Sequence, residues 1–478
     1  MEAREACGVF GAASPGSPVF ELLYHGLLAL QHRGQESAGM ATIDQDGRLR
    51  VRKSMGLVCD IFNPEESYGL KGSIGIGHVR YSTVGTSSLE DAQPFHFNGI
   101  ALCHNGNLVN YAELRRNLQQ RGVRLRSTCD AEILVHLLAE KSGATDSESL
   151  VEALGEVADL AEGSYSALCL TENREIIAFR DPYGFRPLCY GETENARVCA
   201  SESVALDVCG GNLLANIEPG EAFIISEEGV RRERFAPCRR RAHCMFEYVY
   251  FSRPDSIIEG KSVYEVRLRL GENLGKTYGC KGELVVPVPD TARPAAEGLS
   301  RVTGVPVAEG LIKNRYVHRT FIMPGQQRRE NAVKMKLNPL KAVLKGRKIC
   351  LVDDSIVRGT TIRKIISIVR EAGAEEVHVM ITCPPIVSPC FYGIDIATHQ
   401  ELIASGRNVE EIRRLIGADS LSYQTIDGLV DAIGLGREKL CLACLTGEYP
   451  TPKAQALADK MKGKPLPEGG IRYVELEV

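Results

Sequence analysis

The chain has 478 residues, too many for one ordinary domain at about 100–200 residues each, so two to four domains are expected. Its 57 basic and 61 acidic side chains leave a formal charge of −4, which excludes a strong overall field for nucleic acid or an acidic membrane. No apolar run approaches the ~20 residues of a bilayer span, and MEAREAC has neither the basic nor the apolar region of a secretory signal.

A cytoplasmic protein is therefore expected. Disulfides are rare in that compartment, so the sixteen cysteines need another reading. Most are expected to be small buried apolar residues, as at Cys103, Cys169 and Cys350.

In chain order, the first half is rich in short strands. Residues 72–83, 99–108, 164–170 and 175–180 are β-rich and bounded by Gly, Asn or Asp. YAELRRNLQQRG and AEILVHLLAEKSG interrupt them with helical spacing and a terminal Gly. Strands with segregated helices predict an α+β domain. RRERFAPCRRRAHC, from Arg231, is basic and poorly periodic and reads as a linker or domain edge.

Beyond it, strands and helices alternate. ELVVPVPD precedes a helix containing AEGLSRV, KICLVDDS precedes TTIRKIISIVREAG, and EEVHVMITCPP follows. That alternation predicts an α/β domain with a parallel sheet, whose ligands bind beyond the carboxyl ends of the strands.

KICLVDDSIVRGTT (348–361) is the most informative stretch. An apolar strand ends in Asp353 and Asp354. Ser355, Arg358, Gly359, Thr360 and Thr361 follow, where a helix begins. Hydroxyls and backbone N–H groups at such a point suit a phosphate. The paired carboxylates suit a sugar diol, or Mg²⁺ through water.

The string resembles the phosphoribosyl pyrophosphate (PRPP) motif of type I phosphoribosyltransferases. The resemblance implies that Asp353 and Asp354 face the ribose hydroxyls and that Ser355 to Thr361 cradle the 5′-phosphate. VPVPDTARPAA (286–296) resembles the pyrophosphate loop of that family, with Asp290, Thr291 and Ala292 at its tip. Residues 316–338 resemble its flexible loop, which closes over PRPP and excludes water.

Cys7 lies close to the amino terminus but not at it. Removal of MEAREA would free its α-amine, whose reference pKa of about 7.7–8.0 makes it a base near neutral pH. Nucleophile and base would then belong to one residue. CGVFG, LQHRGQESAG (30–39), GHVRYST (77–83), CHNGNL (103–108) and TCDAE (128–132) follow in order. Together they resemble the amino-terminal-nucleophile glutamine amidotransferases. The resemblance implies that Arg80 binds the glutamine α-carboxylate and Asp130 its α-ammonium. It places Asn105 and the Gly106 N–H in the oxyanion hole. One departure is Cys129, where that motif more often has Ser.

CLAC (441–444) is a CxxC, and Cys244 and Cys390 lie in distant segments. Four thiolates suit either Zn²⁺ or an iron–sulfur cluster, and chemistry alone does not separate them. Both halves together, in this order, resemble the amidophosphoribosyltransferase family over nearly the whole chain. SPCFYGID and CLACLTGEYP match its subgroup with a cleaved propeptide and a [4Fe–4S] cluster. The resemblance makes Cys244, Cys390, Cys441 and Cys444 the ligands, with Cys238 and Cys383 as nearby competitors.

It also implies a propeptide at 1–6, a glutaminase domain at 7–237 and a phosphoribosyltransferase domain with a helical extension at 238–478. Glutamine and PRPP would be the substrates, and 5-phosphoribosylamine the product that commits carbon to purines. Mg²⁺ and one cluster per subunit, feedback by purine nucleotides and a homotetramer are further expectations of the resemblance. An asparagine synthetase would need an SGG-type ATP loop, which the sequence lacks. A PRPP-sensing regulator would have no need of Cys7, Arg80, Asn105 and Asp130 together.

Overall fold

The computed structural model describes residues 7–81, 88–314, 337–394 and 398–461. The expected propeptide and nearly all of the expected flexible loop lie outside these residues. In the first half the expected strands form, and they divide between two antiparallel sheets. One sheet has seven strands, with Gly8–Ala13 at its centre between Arg197–Ala200 and Ile74–Arg80. The other has six, with Ile100–Leu108 paired to Gly163–Thr171.

The sheets stack face to face. Val9, Ala41, Ile74 and Ile76 of one meet Ala101, Cys103, Leu168 and Ile176 of the other. Helices cover both outer faces. Tyr111–Gln120, Asp130–Ser142 and Ser147–Leu160 pack on the six-stranded sheet. Phe20–Ala29 and Ser203–Val208 pack on the seven-stranded one. Strands in the middle of four layers are buried on both faces, which is why GVFGAA is apolar throughout rather than alternating.

Two details differ from the sequence reading. Val230–Arg234, overlapping the start of the expected linker, is the edge strand of the six-stranded sheet, paired to Glu221–Ile225. Its charged side chains face water, so the pattern looks like a linker although the backbone is paired. Phe20–Ala29 and Ser147–Leu160 are additional helices. The first, FELLYHGLLA, is apolar nearly all round and hides its period. The second carries a cap, Asp146 accepting from the Ser149 N–H at 2.9 Å.

The second half is the expected parallel sheet. Its four strands lie in the order Leu284–Pro287, Lys348–Asp353, Glu376–Ile381, Ser420–Tyr423. The helix Thr360–Glu371 buries Ile362, Ile365, Ile366 and Val369, one stripe at the helical period.

A buried charge network joins the halves. Arg33 of the first half donates to Glu202 at 2.5 Å and also pairs with Glu247, which opens a π-helical turn, Glu247–Phe251, of the second. Glu247 also accepts from Arg186 at 3.0 Å and from Ser252 at 2.7 Å.

Candidate active sites

Cys7 heads the central strand Gly8–Ala13. Antiparallel pairing of Gly8 with Val79 sets the thiol beside the end of Ile74–Arg80. Its Sγ donates to the Tyr81 carbonyl at 3.4 Å. Burial raises the thiol pKa, while the Tyr81 contact and the Arg80 charge oppose the rise. Attack at neutral pH therefore calls for a base that takes the thiol proton.

The other expected glutaminase residues lie in the same region. Arg80 is buried and held by Glu36 at 3.2 Å and Asp91 at 3.8 Å, two carboxylates the sequence reading did not single out. Asp130 opens its helix and accepts from the Leu108 N–H at 2.8 Å. Burial opposes its ionisation, but His104 at 3.4 Å and that N–H outweigh it and lower the pKa. Asp130 is thus an anion at neutral pH, as an ammonium partner must be.

Asn105 and Gly106 occupy the strand Ile100–Leu108, opposite Ser166 and Tyr165. Asn105 is buried, and its side-chain Nδ2 has no hydrogen-bond partner among the described residues. An orphaned buried amide donor costs free energy unless a ligand oxygen meets it. Glu36 lies inside LQHRGQESAG, the one signal in the sequence that could have pointed to it. His104 likewise lies inside CHNGNL, whereas Asp91 is marked only by the pair it forms after folding.

In the second half, Lys348–Asp353 delivers Asp353 to the carboxyl end of a central strand. Asp353 Oδ1 accepts the Asp354 N–H at 3.0 Å, and Asp354 Oδ1 accepts the Ser355 hydroxyl at 2.7 Å. Gly359, at φ +76°, caps the helix that Thr360 and Thr361 begin. Arg358 reaches Glu401 at 2.8 Å.

The loop holding Asp290 and Thr291 follows the neighbouring strand Leu284–Pro287, and Val288 N–H bonds to Val352 C=O at 2.9 Å. Both expected loops therefore leave adjacent parallel strands at the same end. Asp290 is paired with Arg293 at 2.8 Å and Lys313 at 3.0 Å. Arg267, fully buried and missed in the sequence, donates to the carbonyls of Tyr248 at 2.9 Å and Ser252 at 2.7 Å. Burial brings its pKa down to about 10, with Asp354 the foremost opposing charge.

The four distant cysteines converge. Cys244 pairs in register with Cys441 in a short parallel ladder, His243–Cys244 against Leu440–Cys441. Cys444 C=O accepts the N–H groups of Val387 and Ser388 at 2.9 and 3.1 Å, holding the segment that carries Cys390. Burial raises all four thiols; Cys390 adds to the rise at Cys244, and Cys244 and Cys390 add to it at Cys441 and Cys444. Arg186 opposes the rise at Cys244 and Cys390. Cys383 is a fifth buried thiol close to Cys444, whereas Cys238 is exposed.

Among the described residues no group of three or more His, Cys, Asp or Glu is drawn tightly enough to hold one metal ion. A four-iron cluster takes one thiolate on each iron, so its sulfurs stand further apart than those around a single ion. The four thiols, Cys441 and Cys444 buried and Cys244 and Cys390 partly buried, match that donor set in type and number.

The two halves are a glutamine amidotransferase domain joined to a phosphoribosyltransferase domain. The glutamine amidotransferase domain family matches residues 78–208, and the phosphoribosyl transferase domain family matches 262–388. The amidophosphoribosyltransferase of Methanothermobacter thermautotrophicus is 50% identical over 94% of this chain and 96% of its own. That of Bacillus subtilis is 46% identical over 94% of each.

The solved B. subtilis glutamine PRPP amidotransferase, complexed with ADP and GMP, superimposes with a TM-score of 0.86 at 45% identity, covering 94% of this chain and 98% of that one. A second solved structure, described as the allosteric regulatory enzyme of purine biosynthesis, gives 0.87 at 44% identity over 99% of both. The chain belongs to the amidophosphoribosyltransferase family. No helix among the described residues is long and apolar enough to cross a membrane.

Proposed function

We infer that this chain hydrolyses glutamine in its first half and adds the ammonia to PRPP in its second, forming 5-phosphoribosylamine, glutamate and pyrophosphate. This is the first committed step of purine synthesis. Residues 1–6 are removed in this reading, and the freed α-amine of Cys7 takes the thiol proton. The thiolate attacks the glutamine γ-carbonyl. Asn105 Nδ2 and the Gly106 N–H stabilise the oxyanion, Arg80 holds the α-carboxylate and Asp130 the α-ammonium. Collapse of the adduct, with the α-ammonium of Cys7 returning its proton to the leaving nitrogen, expels ammonia and leaves a γ-glutamyl thioester on Cys7, which water hydrolyses to glutamate.

Ammonia then attacks C1 of PRPP, and the C1–O bond to pyrophosphate breaks. Asp353 and Asp354 orient the ribose hydroxyls. Ser355, Arg358, Gly359, Thr360 and Thr361 hold the 5′-phosphate, and Asp290 and Thr291 border the pyrophosphate. Asp353 and Asp354 would hold Mg²⁺, which would supply charge neutralisation at the pyrophosphate. The four cysteines hold a [4Fe–4S] cluster in a structural role, and a bound cation would reverse the raised thiol pKa values. Purine nucleotides inhibit, as the ADP- and GMP-bound relative supports. A cytoplasmic homotetramer completes the reading.

The observation that carries most weight is Asn105 Nδ2, a buried donor with no acceptor among the described residues, in the same half as the buried Cys7 thiol. The test is Cys7→Ala. Glutamine-dependent product formation should disappear while ammonia-dependent formation persists. Retention of glutamine hydrolysis would refute the reading.

A further inference from the structure

The strand that carries Asn105 and Gly106 is backed by a segment of the other half. Asn107 donates from Nδ2 to the Phe391 carbonyl at 2.9 Å. Arg186 donates from Nε and Nη2 to the Tyr392 carbonyl at 3.3 and 3.2 Å. Gly393 follows at φ +95°. A Cβ built there would stand 3.0 Å from both the carbonyl carbon and oxygen of Gly106, and 3.3 Å from Arg186 Nη2. Three consecutive residues thus each touch Arg186 or the strand residues Gly106 and Asn107.

The contact is rigid. Asn107, Arg186, Phe391 and Tyr392 are all buried. The Phe185 and Tyr392 rings stack with centroids 4.0 Å apart. Arg186 is fixed in turn by Glu247 at 3.0 Å, and its own carbonyl accepts the Ser166 hydroxyl at 2.8 Å. Packing this close transmits displacement rather than absorbing it. A shift of Phe391–Gly393 would press on the peptide unit that joins Gly106 to Asn107, and so on the backbone dihedrals of Gly106.

We propose that Phe391–Gly393, supplied by the phosphoribosyltransferase half, sets the oxyanion-stabilising geometry of Asn105 and Gly106. Asn107 and Arg186 are its positioning residues. The inference rests on the reading of Asn105 and Gly106 as oxyanion donors. It makes the glutaminase dependent on the docked second half for its transition state.

The test uses the full mature enzyme with Asn107→Ala, Gly393→Ala and Asn105→Ala. The two positioning variants should lower kcat for glutamine hydrolysis roughly 10- to 100-fold, short of the about 10²–10³ expected for loss of a donor. The KM for glutamine should move less than about threefold, because ground-state contacts are untouched. Alkylation of Cys7 by iodoacetamide, which develops no oxyanion, and ammonia-dependent synthesis should each stay within about twofold. In an Asn105→Ala background, Asn107→Ala should cost less than about threefold more, because both act through one oxyanion hole.

Full additivity, an equal loss of ammonia-dependent synthesis, or wild-type kcat in Asn107→Ala would overturn the proposal. Asn107→Ala decides the matter if Gly393→Ala does not fold. If Asn105→Ala itself hydrolyses glutamine normally, the oxyanion reading falls. If Asn105→Ala is impaired while Asn107→Ala is not, only this inference falls.

Discussion

Replacing Glu247 by Gln tests the buried charges between the halves. The carboxylate lies between two guanidiniums whose side chains are no more than 1% exposed, those of Arg33 and Arg186. Gln preserves the volume, so no cavity term enters. What is lost is the negative charge, leaving Arg33 with Glu202 alone and Arg186 with no carboxylate in that network. Breaking a buried pair while its partner remains costs about 3–5 kcal/mol, against at most ~1 kcal/mol for a surface pair.

The assay is equilibrium urea unfolding of the variant, of Arg33→Met and of the double variant, followed by two probes because two halves need not unfold together. Arg33 and Glu247 share a contact, so the cycle should show a coupling of about 0.5–3 kcal/mol. A loss below about 1 kcal/mol in Glu247→Gln, or a double variant with no coupling beyond error, would show that the network does not hold the halves together.

Three further outcomes are expected. Asn105→Ala should lower glutamine-dependent kcat by about 10²–10³ and leave ammonia-dependent synthesis intact, measured by following glutamate and pyrophosphate separately. Asp354→Asn should weaken PRPP use with either nitrogen source and leave glutamine hydrolysis measured without PRPP unchanged; steady-state kinetics with ammonia would expose the opposite pattern. Glu202 sets a pH dependence. Burial opposes its ionisation, but His32 and Arg33 outweigh that and hold its carboxyl well below the usual carboxylate range. Its stabilising contribution is therefore complete above the ordinary carboxylate pKa and is lost as pH falls below it. Wild type should lose up to about 1.4 kcal/mol per pH unit more than Glu202→Gln below about pH 4.3, read by urea unfolding at successive pH values.

Local chemistry made much of this protein legible in its sequence. VDDSIVRGTT declares a strand end, a turn and a helix start within fourteen residues of Lys348, and the structure places Asp353, Asp354 and Gly359 accordingly. Cys7, Arg80, Asn105 and Asp130 could be picked out because each sits in a short motif whose residue types match one chemical task. The edge strand Val230–Arg234 was hidden by its charges, since solvent-facing side chains report exposure and not backbone pairing.

Only the tertiary structure decided the rest. Cys244 and Cys441 lie far apart in the chain and meet through a two-residue ladder that no local pattern encodes. Arg33, Glu202 and Glu247 read as ordinary charges until burial obliges them to pair. Asn107 and Gly393 acquire meaning only where the two halves press together. Sequence periodicity records which face of an element avoids water. Which buried faces meet each other is set by packing across the whole chain, and that packing is what brings Phe391–Gly393 against Gly106 and Asn107.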